Sequence, residues 1–170
     1  MNYLITGSTG LIGKVLVEEL IKRAAGGRLT LILPVRDEER ARETFRDFMG
    51  KSGQNFVFVE CDLIHMTPDR FPAGVKVERF LHCAAPTISS YMMSNPVETA
   101  DSIVLGTRQA LELARFYQVE SMVYLSSMEV YGVVKDQGEL RREEELGDID
   151  LTSARSCYPL GKRMAEHYCH

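Results

Sequence analysis

The chain has 170 residues, of which 45% are hydrophobic and 26% are charged, a composition typical of a globular protein long enough to bury one core. Its formal net charge of -4 provides no basic field for nucleic acid, and no apolar run is long enough to cross a bilayer. We therefore expect a single soluble cytoplasmic domain with no nucleic-acid or membrane partner.

The cysteines do not form a recognisable framework. They lie far apart without a Cys-x-x-Cys pair, so we expect reduced thiols rather than disulfides or a zinc knuckle. His167, Cys169 and His170 cluster near residue 170, but soft ligands at a frayed terminus seldom complete a coordination sphere. No metal site is predicted.

The first motif with chemical meaning is a run of three glycines spaced three residues apart. An apolar strand leads into this run, and a helix with apolar residues at helical spacing follows it. Gly7 permits a sharp turn, Gly10 lets a pyrophosphate approach the backbone, and Gly13 lets the helix lie close to the strand. Although glycine and serine also fill ordinary loops, this context predicts a phosphate-binding turn at the helix N-terminus. Its residues are Gly7, Ser8, Thr9, Gly10, Leu11, Ile12 and Gly13.

Short apolar runs alternate with helical patterns along the rest of the chain. This alternation predicts an α/β fold, a Rossmann-type doubly wound parallel sheet with helices on both faces in three αβα layers. Further strands are expected at 29–35, 56–61, 79–85 and 122–125, and helices at 37–48, 97–114 and 158–170. Residues 25–27 predict a helix stop, 51–54 a turn, and the charged segment 135–150 a surface excursion.

Arg36 follows the second strand, where this kind of fold places the residue that reads the adenosine ribose. An acidic residue there would bind the 2′-hydroxyl, whereas an arginine attracts a 2′-phosphate. Arg36 therefore favours NADP over NAD. The alternative is a solvated arginine, since three acidic residues follow it directly.

The ends of the third and fourth strands supply the next candidates. Asp62 could accept a hydrogen bond from the adenine amino group while Leu63 packs on the ring, or Asp62 could simply cap the strand end. His82 is expected to be a core histidine rather than a catalyst. The residues that follow it are small enough for a cofactor to lie against bare backbone: Cys83, Ala84 and Ala85.

The candidate chemistry lies in Tyr158 and Lys162. They are four residues apart, so both leave the same face of a helix. A nearby ammonium favours the phenolate and could lower the pKa of the tyrosine toward neutrality, making it a usable base. Lys162 would also hold the nicotinamide ribose, and Ser127, at the end of the fifth strand, could hydrogen-bond the reacting oxygen.

From Thr6 through Glu166 the sequence resembles the extended short-chain dehydrogenase/reductases, which include sugar-nucleotide epimerases, dehydratases and decarboxylases. The resemblance assigns the catalytic serine to Ser127, the tyrosine to Tyr158 and the lysine to Lys162. The motifs that carry it are the glycine turn, Asp62-Leu63, His82-Cys83-Ala84-Ala85, Gly106-Thr107, the run from Ser126 to Gly132, and Tyr158 with Lys162.

Three departures from the family pattern qualify this resemblance. Ile103 replaces the usual helix asparagine, and Met128 replaces the aspartate of the dehydratases' Asp-Glu pair. Because a thioether donates no proton, dehydration is weakened relative to epimerisation or simple oxidoreduction, although Glu129 keeps it open. Family members also carry a further C-terminal region, so we expect residues 1–170 to be the NAD(P)-binding domain of a longer enzyme, ending within the catalytic helix.

The resemblance implies an NAD(P)-dependent oxidoreductase that acts on a nucleotide sugar or similar secondary alcohol by hydride transfer. It also implies a homodimer that pairs the 97–114 and 158–170 helices with their copies. We expect the 170-residue chain to self-associate and to lack substantial activity alone. The alternative is a non-catalytic NAD(P)-binding regulatory or interaction domain, which would have no need for Ser127, Tyr158 and Lys162 together.

Overall fold

The strands of the chain form one parallel sheet. A computed structural model describes residues 1–24, 27–50, 53–133 and 140–170, and in it the strand order is β3-β2-β1-β4-β5. The strands are β1 (Asn2–Thr6), β2 (Leu29–Val35), β3 (Gln54–Glu60), β4 (Arg79–His82) and β5 (Ser121–Tyr124). The chain adds β2 and β3 on one side of β1, then returns to add β4 and β5 on the other. The order thus reverses between β1 and β4, which leaves a crevice at their carboxyl ends where such sheets bind ligands.

Helices cover both faces of this sheet. Within β1, Ile5 packs with Val17 and Phe45 on one face, whereas Leu4 packs with Leu113 on the other, because neighbouring strand residues face opposite sides. The predicted three-layer α/β fold is confirmed. The helices of the described residues are α1 (Leu11–Arg23), α2 (Glu38–Phe45), α3 (Ser89–Ser94), α4 (Pro96–Tyr117) and α5 (Cys157–Cys169).

Several boundaries differ from the predicted ones. The fourth strand ends at His82, not at residue 85, because the Ala84 N–H turns to the side-chain hydroxyl of Thr6 at 3.3 Å. The six-residue helix α3 was not predicted, since one and a half turns are too short to show a helical period. Helix α4 runs three residues past the predicted end and stops at Gln118, whose φ of 51° is left-handed.

The apolar residues of α1 are divided between solvent and core. Although apolar residues recur at helical spacing along this helix, Leu11, Ile12 and Val15 are exposed, and Val17 and Ile21 provide the core contacts. The first turn of α1 therefore presents apolar side chains beside the glycine turn.

Parts of three predictions lie outside the described residues. These are residues 25–26 of the helix stop, residues 51–52 of the turn and residues 135–139 of the charged segment. Residue 134, just before that segment, also lies outside the described residues. Within the described part of that region, Val133 pairs with Asp148 in an isolated antiparallel bridge.

The described ranges contain no helix that is both long and apolar enough to span a membrane. In the same ranges, no group of three or more His, Cys, Asp or Glu side chains could hold a metal ion. The four cysteines are free thiols.

Candidate active site

Two of the three glycines are required by the fold of the turn itself. Gly7 has a φ of +69°, and a Cβ there would lie 2.8 Å from the Cα atom of Ala84 in the strand-end segment. A Cβ at Gly13 would collide with the backbone of Gly7 and lie 2.8 Å from the Cα atom of Ser8. Any side chain at either position would force the turn, the helix and the end of β4 apart.

Gly10 differs, because little of the protein occupies the space a side chain would need. Its backbone is extended, with φ of -77° and ψ of 171°, and a Cβ would approach only the Gly7 carbonyl, at 3.2 Å. Helix α1 begins directly after it with no side-chain cap and no acidic residue in the first turn. Uncapped amides at the positive end of a helix form an anion site, so these residues fit the pyrophosphate of a dinucleotide.

The rest of the predicted phosphate-binding run surrounds this site. Ser8 is fully buried within the turn and Thr9 is half-buried, whereas Leu11 and Ile12 are exposed. The run therefore consists of a buried turn followed by an exposed start of helix α1.

The predicted adenosine residues lie at the carboxyl ends of β2 and β3. Arg36 is exposed directly after β2, which pairs with β1. Asp62 caps a short 3₁₀ turn after β3 by accepting from the Ile64 N–H at 3.1 Å. Leu63 packs beside Gly106 of α4, where a Cβ would lie 3.2 Å from the Leu63 Cβ. Their contact with adenosine stays a prediction.

His82 lies buried beneath the crevice as the predicted core histidine. Its Nδ1 is 2.7 Å from the Thr6 hydroxyl and its Nε2 is 3.3 Å from the Thr107 hydroxyl. The ring also stacks on Tyr124 at 5.7 Å between centroids. Burial, together with the nearby Lys162 ammonium, lowers the pKa of His82 to about 3, so the imidazole is neutral and ties β1, β4 and α4 together.

The predicted pair Tyr158 and Lys162 is buried on one face of α5, with exposures of 9% and 2%. The Lys162 Nζ lies 5.8 Å from the centroid of the Tyr158 ring and 4.7 Å from that of Tyr124. It donates to the Leu125 carbonyl at 2.7 Å, at the end of β5. Burial lowers the pKa of Lys162 to about 8. The ammonium is thus fixed between α5 and the sheet, next to the tyrosine.

Ser127 follows β5 and begins a short 3₁₀ turn. Its Oγ accepts from the Glu129 N–H at 3.3 Å, and the Glu129 carboxylate pairs with Arg155 at 2.7 Å. The small residues Cys83, Ala84 and Ala85 are half-buried at the end of β4, the strand beside β5. Burial raises the pKa of the Cys83 thiol.

Sequence reasoning gave no role to four residues of this region: Thr6, Thr107, Tyr124 and Arg155. The two threonines and Tyr124 are bonded or stacked to His82, and Arg155 lies over the Tyr158 ring, its Cζ atom 5.3 Å from the ring centroid. Arg155 gave a signal as a cation three residues before the tyrosine and thus within one helical turn of it, and Thr107 lies in the Gly106-Thr107 motif.

Two of the departures from the family pattern have visible structural consequences. Ile103 is buried between α4 and α5, where its side chain lies 3.4 Å from the position a Cβ on Gly161 would take. Isoleucine here packs the two helices together instead of providing an amide. Met128 is 85% exposed, so its thioether contributes nothing buried to the site.

Curated relatives share the whole length of this chain. A UDP-glucuronic acid decarboxylase 6 of Arabidopsis thaliana is 30% identical over 98% of the chain and 44% of its own length. A UDP-glucuronic acid decarboxylase 1 of Xenopus tropicalis is 28% identical over 98% of the chain and 36% of its own length. The chain thus spans less than half the length of these relatives.

Solved structures share its fold. A UDP-glucose 4-epimerase of Thermotoga maritima, determined with UDP-glucose, gives a TM-score of 0.75 at 22% identity, over 99% of this chain and 50% of that one. A UDP-glucuronic acid 4-epimerase of Bacillus cereus, in complex with UDP-glucuronic acid and NAD, gives 0.69 at 22% identity, over 100% and 51%.

A family model covers nearly every residue. It matches residues 3–170 and describes an NAD dependent epimerase/dehydratase family, in agreement with the resemblance inferred from the glycine turn and the Tyr158–Lys162 pair. The chain belongs to the NAD-dependent epimerase/dehydratase family.

Proposed function

We propose that this chain provides the NAD-binding and catalytic core of an enzyme that acts on a nucleotide sugar by hydride transfer, with Tyr158 as the base. The observation that supports it best is the buried Tyr158–Lys162 pair at the carboxyl end of β5, with the ammonium 5.8 Å from the tyrosine ring centroid. Burying an ammonium costs free energy, so this lysine does not stabilise the fold in the way an apolar side chain would. Its burial beside a phenol therefore indicates a chemical role.

Each residue has a distinct part in this proposal. Tyr158 accepts a proton from the substrate hydroxyl, and Ser127 hydrogen-bonds the same oxygen to orient it. Lys162, anchored to the Leu125 carbonyl, favours the phenolate through its charge. The uncapped start of α1 binds the cofactor's pyrophosphate. A bound nicotinamide supplies the hydride acceptor.

We further propose a UDP-sugar as substrate, with UDP-glucuronic acid as the first candidate. The curated relatives are UDP-glucuronic acid decarboxylases, and one of the structural neighbours was solved with UDP-glucuronic acid and NAD. The epimerases among the structural neighbours keep a second outcome open, an epimer instead of a decarboxylated product.

Replacing Tyr158 by phenylalanine tests this function. In the protein at its native length, Tyr158→Phe should lower turnover of UDP-glucuronic acid roughly 10²–10⁴-fold, the usual contribution of a general base, while NAD affinity stays unchanged. Tyr168→Phe is the matched control, because Tyr168 lies on the same helix but is exposed. Turnover that survives in Tyr158→Phe contradicts the assignment. NAD binding with no turnover of any UDP-sugar favours a non-catalytic binding domain.

We propose that the enzyme prefers NADP because Arg36 is exposed at the end of β2, free to meet a 2′-phosphate. Arg36→Asp should weaken NADP binding by roughly tenfold or more and change NAD binding little, since only NADP carries the charge that the aspartate repels. Titration of both cofactors against both proteins measures this. Equal affinities for NADP before and after the change would refute the preference.

A further inference from the structure

Arg155 connects three segments around the proposed catalytic tyrosine. It lies in the short turn Ala154–Ser156 that leads into α5. Its Nη2 donates to Glu129 at 2.7 Å, its Nε donates to the Ser89 hydroxyl of α3 at 3.3 Å, and its Cζ lies 5.3 Å from the Tyr158 ring centroid. The side chain is only 29% exposed.

The Glu129 end of this contact belongs to the turn that holds Ser127. The Glu129 N–H donates to the Ser127 Oγ at 3.3 Å, so the carboxylate and the hydroxyl are fixed in one turn after β5. Glu129 is 38% exposed and therefore open to solvent at the crevice. A guanidinium is planar, so Arg155 can offer its edge to this carboxylate and its face to the Tyr158 ring at once.

We infer that Arg155 is a positioning residue that couples the Glu129 carboxylate to the Tyr158 ring, so that both are held in one arrangement. The inference deepens the proposed function and rests on it for the role of Tyr158. The coupling itself depends only on the three side chains. Lysine would not replace Arg155, because an ammonium has no flat face to lie over the ring while it pairs with a carboxylate.

The coupling has a chemical consequence for Glu129. A carboxylate in an ion pair accepts hydrogen bonds and protons but has no proton to donate. Glu129 is therefore placed to accept a hydrogen bond from a substrate hydroxyl beside Ser127. Met128, in the preceding position, is exposed, and its thioether has no proton to donate to a leaving hydroxyl.

The test is a double-mutant cycle read by ¹⁹F NMR at neutral pH on the chain labelled with 3-fluorotyrosine. The protein has seven tyrosines, and Tyr158→Phe identifies the Tyr158 resonance. Spectra are compared for Arg155→Met, Arg155→Lys, Glu129→Gln and the double variant Arg155→Met with Glu129→Gln. Glu120→Gln is the matched control, since Glu120 forms the same type of ion pair with Arg79 at 2.9 Å elsewhere.

We expect Glu129→Gln to displace the Tyr158 resonance. Arg155→Met and the double variant should give the same resonance position, because Glu129 acts on Tyr158 only through Arg155. Arg155→Lys should also displace it, and it provides the test if the methionine variant fails to fold. Glu120→Gln should have no effect. A Tyr158 resonance unmoved by Glu129→Gln, or effects that add in the double variant, would overturn the inference. Because the readout needs no turnover, it stands apart from the activity test of Tyr158→Phe.

Discussion

At the scale of single residues, the site depends on two buried bases, one charged and one neutral. The Lys162 ammonium donates a hydrogen bond to the Leu125 carbonyl at 2.7 Å, and two aromatic rings face it. His82 stays neutral because it is buried away from water and because the Lys162 charge lies nearby, while its ring nitrogens contact the Thr6 and Thr107 hydroxyls. A second cation at His82 would repel Lys162 within a space that excludes water.

The neutrality of His82 predicts a loss of stability in mild acid. Its pKa is about 3 in the folded chain and about 6.5 when unfolded, so the unfolded state binds the proton first. Stability due to His82 is therefore complete above about pH 6.5 and falls as the pH drops toward 3, by on the order of 3 kcal/mol down to pH 4.

Urea unfolding at pH 7, 6, 5 and 4 measures this. The difference in free energy of unfolding between the wild-type chain and His82→Asn should shrink as the pH falls. His65→Asn, at an exposed position, should give a constant difference. A difference for His82→Asn that does not change with pH would show that the folded protein accommodates the charge.

At the scale of elements, helices α4 and α5 pack together and yet leave apolar side chains uncovered. Ile103, Tyr158 and Ala165 form a buried cluster between them with Met92 of α3. On the outside, Leu105 is 39% exposed and Met164 is 45% exposed. The sheet face and the two helices already pack against each other. These outward residues are therefore available to contact a second copy of the chain.

We therefore predict that the chain self-associates through α4 and α5. Leu105→Glu should shift sedimentation at micromolar concentration toward the monomer, because association would bury the new carboxylate without a partner. Val15→Glu is the control, since Val15 is exposed on α1, which packs on the opposite face of the sheet. A wild-type chain that sediments as a monomer would contradict the prediction.

Short apolar runs indicated the strands, and apolar residues at helical spacing indicated the long helix α4. Helix α3 is too short to show such a pattern. The fourth strand was placed too long because its end is set by a hydrogen bond from the Ala84 backbone N–H to the Thr6 side-chain hydroxyl, which joins residues 78 positions apart. Partners so distant leave no local signal.

At the scale of the whole molecule, the sheet order brings together residues that are remote in sequence. The reversal of strand order at β1 and β4 places the glycine turn beside residues 83–85, and β5 with α5 adds Ser127, Lys162 and Tyr158. Motif spacing predicted the glycine turn and the tyrosine pair. It could not predict Arg155 and Glu129 as a pair, because their contact depends on how the turn after β5 meets the start of α5.

The central claim is that a dinucleotide binds over the glycine turn, and calorimetric titration of the chain with NAD and with NADP tests it most directly. The wild-type chain should bind at least one of the two. Gly10→Val should fold, since the extended backbone at this position suits any residue and only the Gly7 carbonyl lies near the added Cβ, at 3.2 Å. Its affinity for the dinucleotide should fall by roughly tenfold or more, because the valine side chain blocks the phosphates. A folded wild-type chain that binds neither NAD nor NADP, or a Gly10→Val variant that binds both equally well, would contradict the account.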